Sequence, residues 1–351
     1  MKPAPLVTVV VPVYNQKSYL PRCFDCLLAQ TLPHWQAVLV DDGSTDGSGE
    51  VCDAYAARDA RFTVIHKPNG GVCSARNAGM RAAEGEYITL LDQDDLLSPL
   101  ALELALKAQA ARPDAWVMFC HAETLQELAA APSGALPAQY LPPDAGRLYT
   151  DAPFDPPWCK LYSAEFLRKT GLAFDETVRD GYEDRPFVQA YLREFWAQDP
   201  AAPVLLLPEA LYYWEQENPG SVSKRWDKPL TWAQIHMFDD FLRDCTERYG
   251  VPQKDLVPFC GEAANILAFG ITCLDAAGRR TILKEYYASD AYRRLVAYFK
   301  AVKHYNVFYL PLKYKQTWLL RRLTYSRLGA KKLYWKCYWL GWYLLGASWE
   351  R

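Results

Sequence analysis

The densest chemistry in the chain sits at Asp92-Gln93-Asp94-Asp95, three carboxylates in four residues. They close the apolar run Tyr87-Ile88-Thr89-Leu90-Leu91, which reads as a buried strand. Ser98 and Pro99, just beyond, read as the N-cap and first position of a helix. Side chains alternate faces along a strand, so Asp92 and Asp94 share a direction if the extended geometry continues through Gln93. Two carboxylates held together repel unless a cation sits between or beside them. An oxygen-only pair suits a hard divalent ion, Mg2+ or Mn2+, which keeps waters and bridges to phosphate oxygens. Taken alone, the same residues also describe a solvated turn with helix-capping carboxylates. What precedes them bears on the choice.

The elements that must position this cluster follow a regular alternation. Val7 to Val13 is a β-branched strand, Gln16 to Gln30 a helix, and Trp35 to Val40 a second strand. A helix from about Ser48 to Asp59, a strand Phe62 to His66 and a helix carrying Arg76 and Asn77 lead to the Tyr87 strand. Ala115 to Phe119 makes another strand. This order argues for an α/β fold with a doubly wound, mostly parallel sheet flanked by helices. Such sheets bind ligands beyond the carboxyl ends of their strands. The unusual polar clusters fall at those ends: Pro12-Val13-Tyr14-Asn15, Asp41-Asp42-Gly43-Ser44-Thr45-Asp46, and the acidic run. Any one could be a turn; three converging on one edge is not an accident of composition.

These stretches, with Gly71-Val72-Cys73-Ser74-Ala75-Arg76-Asn77-Ala78-Gly79 and Leu91-Asp92-Gln93-Asp94-Asp95, resemble the successive signatures of the inverting family 2 glycosyltransferases with the GT-A fold. The resemblance covers residues 6 to about 225. It implies a nucleotide-sugar donor, most often UDP-linked, and a divalent metal. By resemblance Pro12, Tyr14 and Asn15 belong to the donor site, with Tyr14 against the base. Asp42 would hydrogen-bond the pyrimidine or its ribose, and Arg76 would face the uracil or the phosphates. Asp92 would contact ribose or donor sugar and lie beside the metal, with Asp94 the main ligand. An aromatic face and a carboxylate acceptor suit a pyrimidine N–H, while metal and cation neutralise a diphosphate leaving group. A surface ion pair for Arg76 and a core aromatic for Tyr14 are the plain alternatives. Asn69-Gly70-Gly71 lacks the Lys-Ser/Thr ending of a P-loop, so ATP hydrolysis is not expected.

A second acidic pair bears on the reaction. In Gly181-Tyr182-Glu183-Asp184-Arg185-Pro186-Phe187, Pro186 belongs in a first helical turn, which puts Glu183 and Asp184 at a helix N-terminus facing the crevice. Carboxylates are favoured there as caps and by the helix dipole. In the family such a pair supplies the catalytic base, and Asp184 matches it with Glu183 as supporting neighbour or metal-side ligand. Inverting transfer needs one carboxylate to take the acceptor's proton.

Leu125 to Pro157, rich in Ala, Pro and Gly, reads as a helix fragment and a long loop of the kind that orders with substrate. Ser163 to Lys169 reads as a helix and Leu211 to Trp214 as a strand. The following loop carries Ser221, Ser223 and Lys224, which by resemblance fold over the donor phosphates; a solvated basic loop is the alternative. Trp158 and Trp214 suit either sugar stacking or a core.

The chain divides into a nucleotide-sugar-binding half, 1–120, an acceptor and catalytic half, 121–228, and a C-terminal helical region, 229–351. At 351 residues, half of them hydrophobic, it exceeds one core, and a net charge of −2 gives no reason to expect nucleic acid. The N-terminal run is a strand rather than a signal peptide, and no apolar stretch spans a bilayer. Ten scattered cysteines fit a reducing cytoplasm, with Cys23 and Cys26 packing within a helix. In residues 320–351, Arg321, Arg322, Arg327, Lys331, Lys332 and Lys336 lie among Trp and Tyr. That composition fits a helix in the membrane interface, at the inner face of the plasma membrane. Packing on its own domain or on a second subunit, as in a homo-oligomer, is the alternative.

The expected activity is transfer of a hexosyl or N-acetylhexosaminyl group from a UDP-sugar to a glycan or lipid-linked acceptor, as in polysaccharide biosynthesis. A sugar-phosphate nucleotidyltransferase would need a Gly-rich basic loop after strand one, where Tyr14-Asn15-Gln16 stands. A non-catalytic glycan-binding scaffold is the other alternative, against which the intact Asp94 and Asp184 argue.

Overall fold

The computed structural model describes residues 5–178, 183–218, 231–302, 309–316 and 318–319. The chain separates into two compact units, residues 1–141 with 151–224, and residues 142–150 with 225–351.

The first unit is organised by a sheet ordered β3 (Phe62–His66), β2 (Trp35–Asp41), β1 (Val7–Val13), β4 (Tyr87–Leu90), β8 (Lys160–Ser163), β6 (Trp116–Ala122), β9 (Val204–Tyr213) and β5 (Leu96–Leu97), with β7 (Ala138–Tyr140) joined to β9. Four parallel strands begin it: β1 Val7–Val13, β2 Trp35–Asp41, β3 Phe62–His66 and β4 Tyr87–Leu90. Every residue of β1 and β2 is buried, as continuous apolar strands covered on both faces require. Helices α1 Leu20–Leu28, α2 Ser48–Arg58 and α3 Val72–Arg81 make the crossovers. In α3 a Cβ on Gly79 would lie 2.3 Å from Val10 Cγ1, so only glycine lets this helix sit so close to β1.

After β4 come the short β5 Leu96–Leu97, α4 Ala101–Ala111 and β6 Trp116–Ala122, then α5 Leu125–Leu128 and β7 Ala138–Tyr140. Strand β8 Lys160–Ser163 runs antiparallel between β4 and β6 and leads into α7 Ala164–Thr170, capped by Ser163. Helix α8 Asp184–Gln198 precedes β9 Val204–Tyr213, which pairs parallel with β6. Its register slips twice, around Phe119 and Cys120, where Pro208 and Glu209 have no partner in β6. Proline cannot donate to the ladder, and the resulting bulge re-aims the end of β9. The parallel strands β1, β2 and β4 therefore end on one edge, and β9 ends there as well.

Two local expectations differ from what the chain does. The first helix begins at Leu20, not Gln16, and the Gln16 and Lys17 N–H groups donate to Ser48 Oγ and Asp46 Oδ2. The helix after the acidic run begins at Ala101 with no side-chain cap. Ser98 is instead buried, its N–H donating to the Leu211 carbonyl, while Leu96 and Leu97 pair with Tyr213 and Tyr212. The stretch Leu125 to Pro157 carries the helix fragment α5, and its β7 pairs with Val204–Leu206.

The second unit is helical: α6 Ala145–Asp151, α9 Trp232–Arg243, α10 Val257–Gly270, α11 Ala276–Ala288, α12 Asp290–Val302 and α13 Tyr309–Lys313. Thr231 and Gln234 close a capping box on α9, and Arg294 binds Asp239 through two hydrogen bonds of 2.6 and 2.7 Å. No helix among the described residues is long and apolar enough to cross a membrane.

Candidate nucleotide and metal site

The acidic cluster is a turn, not a continued strand. Leu91 still donates to Val10 O, but Asp95 N–H closes back on Asp92 O at 3.0 Å. Alternation along an extended chain therefore does not set the directions of Asp92 and Asp94; the turn and its partners do. Nor is it a merely solvated turn. Asp95 is buried, accepting from the Glu215 N–H at 2.8 Å and from the Tyr212 hydroxyl. That same hydroxyl accepts from the Asp92 N–H at 3.2 Å, and the Tyr212 ring stacks on Trp158 at 4.4 Å. Trp158 thus packs against the ring that braces the turn. Arg22 donates to the Asp94 carbonyl at 2.8 Å and to Glu215 Oε2 at 2.7 Å, and Asn218 donates to Asp94 Oδ2 at 2.6 Å.

Burial raises the Asp94 pKa above the ordinary carboxylate range; the Asn218 hydrogen bond opposes this, and the nearby Asp92 and Glu215 charges add to it. Arg76 takes Asp92 Oδ1 and Asn218 takes Asp94 Oδ2. Oxygen ligands with surplus negative charge fit a hard divalent cation that keeps waters and phosphate oxygens in its shell. No group of three or more His, Cys, Asp and Glu side chains poised to hold a metal occurs among the described residues.

Arg76 joins the acidic turn to the second acidic pair. It lies in α3 with its side chain 4% exposed, and it donates to Asp92 Oδ1 at 3.0 Å, Asp184 Oδ1 at 2.6 Å and Glu183 Oε1 at 3.3 Å. Its guanidinium also stands 5.2 Å from the centre of the Phe174 ring. The sequence suggested a residue facing uracil or phosphates; here its partners are three carboxylates, because α3 carries it beneath them. Next to it, Asn77 pins the approach to α8, bonding both the N–H and the C=O of Phe174 and the Glu176 carboxylate.

Glu183 is the N-cap residue of α8 and Asp184 its first residue, as the position of Pro186 suggested. Glu183 makes no side-chain cap hydrogen bond. The Asp184 pKa is pushed up to about 7, first by burial; Arg76 opposes the rise, while Glu183 and Asp92 reinforce it. Arg185, beside it, forms an ion pair with Asp155.

At the other end of the site, Pro12 lies in β1 opposite Val40, and Tyr14 follows the strand with its side chain 46% exposed. Asn15 takes φ +48°, its N–H on Ser44 Oγ and its Oδ1 accepting from Thr45 N–H. Asp42 is buried, and its carboxylate already holds the glycine loop. It accepts from the N–H groups of Gly70 and Gly71 at 2.9 and 2.8 Å and pairs with Lys67 Nζ. Gly43, at φ +76°, leaves a space that a Cβ would fill 2.9 Å from Asn69 N, so the two loops depend on glycine here. Ser221, Ser223, Lys224 and the segment 320–351 lie outside the described residues. Cys23 and Cys26 are helix residues packed beside the turn; burial raises the thiol pKa of both, that of Cys26 to about 12, which suits inert packing.

Reading the sequence missed Tyr212, Glu215, Asn218, Arg22 and Lys67. Each acts across 25 or more residues, and none carries a local signature.

Residues 8–171 match the family described as Glycosyl transferase family 2. The chain is 35% identical over 242 residues to the uncharacterized glycosyltransferase EpsJ of Bacillus subtilis, covering 64% of this chain and 65% of that one. It thus spans slightly less than two thirds of that relative. Among solved structures, residues 1–349 of S. aureus TarS in complex with UDP-GlcNAc superpose with a TM-score of 0.68 at 18% identity, over 92% of this chain and 91% of the other. Mannosyltransferase PcManGT from Pyrobaculum calidifontis, in complex with GDP-Man and Mn2+, gives 0.51 at 17% identity over 94% and 89%.

Proposed function

Because residues 8–171 carry a domain of glycosyl transferase family 2, we propose that the protein is an inverting, divalent-metal-dependent glycosyltransferase that moves a sugar from a UDP-linked donor to a glycan hydroxyl. The observation that carries this reading is the Arg76 junction. One buried guanidinium holds Asp92, on the donor side, together with Glu183 and Asp184, on the acceptor side. A scaffold that only bound glycans would have no use for three carboxylates from two acidic clusters gathered on one cation.

In this reading Tyr14 lies along the nucleobase, and Asp42 holds the glycine loop beneath it. Asp94, with Asp92, holds Mn2+ or Mg2+, which when bound neutralises charge on the departing diphosphate. Asp184 takes the proton of the acceptor hydroxyl as its oxygen bonds to the anomeric carbon. The bond from that carbon to the diphosphate breaks on the opposite face, and nucleoside diphosphate leaves. A base raised toward neutrality is matched to this work. Arg76 keeps Asp184 ionised and aligned, and Glu183 shares its charge. TarS with UDP-GlcNAc supports a uridine nucleotide, and PcManGT with GDP-Man and Mn2+ supports a metal.

A thermal-shift panel of UDP, GDP, CDP and dTDP, each with and without Mn2+, tests the reading. A ligand at about a hundred times its Kd stabilises a fold by roughly 2.7 kcal/mol. Stabilisation by UDP that depends on Mn2+ is the expected result. Silence toward all four nucleotides with Mn2+ present would overturn it in favour of a glycan-binding scaffold.

A further inference from the structure

Gln93 stands between the two aspartates proposed for the metal, yet its side chain bonds to the loop after β1. Tyr14 N–H donates to Gln93 Oε1 at 2.8 Å, and Gln93 Nε2 donates to Tyr14 O at 3.2 Å. One amide thus accepts from and donates to the main chain of a single residue, the pairing found between strands of an antiparallel ladder. Few side chains can do this. Asparagine is one methylene shorter, and an ionised glutamate accepts but cannot donate.

The other flank of the same loop is fixed separately. Asn15, Gln16 and Lys17 are bonded through their N–H groups to Ser44, Ser48 and Asp46 of the loop after β2. The Tyr14 peptide is therefore held between two sheet-edge loops, and the acidic turn is one of its two anchors. The peptide fixes where the Tyr14 side chain starts, and the residue is 46% exposed.

We propose that Gln93 is a positioning residue for the nucleobase. It fixes the Tyr14 ring to the turn that bears Asp92 and Asp94, so that recognition of the base and recognition of the metal-bound diphosphate are linked through one side chain. The proposal rests on the donor-site reading of Tyr14 and the acidic turn.

The test is a cycle of Gln93→Met, Tyr14→Ala and the double variant, in the full chain. Methionine keeps the length of glutamine and removes both hydrogen bonds. Binding of UDP with Mn2+ is measured by calorimetry, with KM and kcat for the donor and the melting temperature of each variant. Losing two solvent-accessible hydrogen bonds predicts a rise of about 3- to 10-fold in Kd and donor KM for Gln93→Met. The kcat should stay within about twofold and the melting temperature near wild type. Because Gln93 acts through the Tyr14 ring, the double variant should bind no more weakly than Tyr14→Ala alone. Single effects that multiply in the double variant would overturn the linkage, as would a Gln93→Met protein with unchanged affinity, or one that loses kcat at constant KM. Wild type that binds none of UDP, GDP, CDP or dTDP removes both the donor-site reading and the linkage, whereas UDP binding with multiplying effects removes the linkage alone.

Discussion

Replacing Arg76 by methionine would remove a cation shared by Asp92, Glu183 and Asp184, whose oxygens lie 3.0, 3.3 and 2.6 Å from it. Deleting one partner of a buried ion pair costs about 3–5 kcal/mol. Glu183 is 7% exposed, but Asp92 and Asp184 are 29% and 35% exposed, so water screens two of the three contacts and the loss should fall near about 3 kcal/mol. The sign with pH follows from the raised Asp184 pKa. A carboxylate whose folded pKa lies above its unfolded value favours the fold at low pH and loses that contribution as pH rises through the raised value. Without the guanidinium this penalty grows, so the defect of Arg76→Met is largest above neutrality and shrinks in acid as the carboxylates take up protons. Catalysis reports the same change. A nearby cation lowers a carboxylate by about 1–3 pH units, so the acidic limb of kcat/KM should move alkaline by roughly that amount, toward its lower end. Arg76→Lys keeps the charge but reaches fewer oxygens and should leave the limb nearly in place while losing some stability. The assay is kcat/KM from pH 5 to 9 with urea unfolding at pH 5.5 and 7.5. An acidic limb of Arg76→Met that coincides with wild type would refute the assignment of Arg76 as the cation that keeps Asp184 ionised.

Asp184→Asn should lower kcat about 10²- to 10⁴-fold while UDP affinity stays within about twofold; full-rate transfer would remove Asp184 as the base. Tyr212→Phe leaves the buried Asp95 carboxylate and the Asp92 N–H each short of a partner. Urea unfolding should show a loss of about 1–3 kcal/mol, and Mn2+ titration weaker binding. His66 lies between Asp41 and Asp53, at 2.9 and 3.1 Å, and hydrogen bonds to both raise its pKa. Its stabilising contribution is present below about pH 6.5 and lost as pH rises through the raised value. With the ring half exposed this amounts to less than about 1 kcal/mol. His66→Gln should flatten the stability profile across that window, and an unchanged slope between pH 6 and 8 would show that the ring stays neutral.

The parallel half of the sheet was legible because its signals are local. Strands β1 and β3 fall at the residues their β-branched runs mark, and β1, covered on both faces, is buried along its whole length. The start of α8 was legible for a similar reason, Pro186 restricting where a helix can begin. Sequence failed where distant segments compete for the same backbone. Ser98 and Pro99 look like a helix start, but the N–H of Ser98 is claimed by Leu211 and the two leucines before it by β9. Asp92 and Asp94 look like alternating strand residues, but the chain turns there, with Tyr212 and Glu215, far away in sequence, bonding Asp95. Arg76 was found by motif, yet its carboxylate partners depend on α8, more than a hundred residues away.

The clasp on the acidic turn also sets an order of assembly. The groups that hold Asp95 and Asp94 come from Tyr212, Glu215 and Asn218, which lie 117 to 124 residues downstream in sequence. Ribosomes add about 5–20 residues per second, so the aspartates are made at least several seconds before their partners. During that interval the nascent chain already carries the signature residues matched in 8–171, yet the turn lacks the bonds that shape it. The braced shape of the turn is therefore acquired late, when β9 inserts beside β6 and its final tyrosines reach the turn.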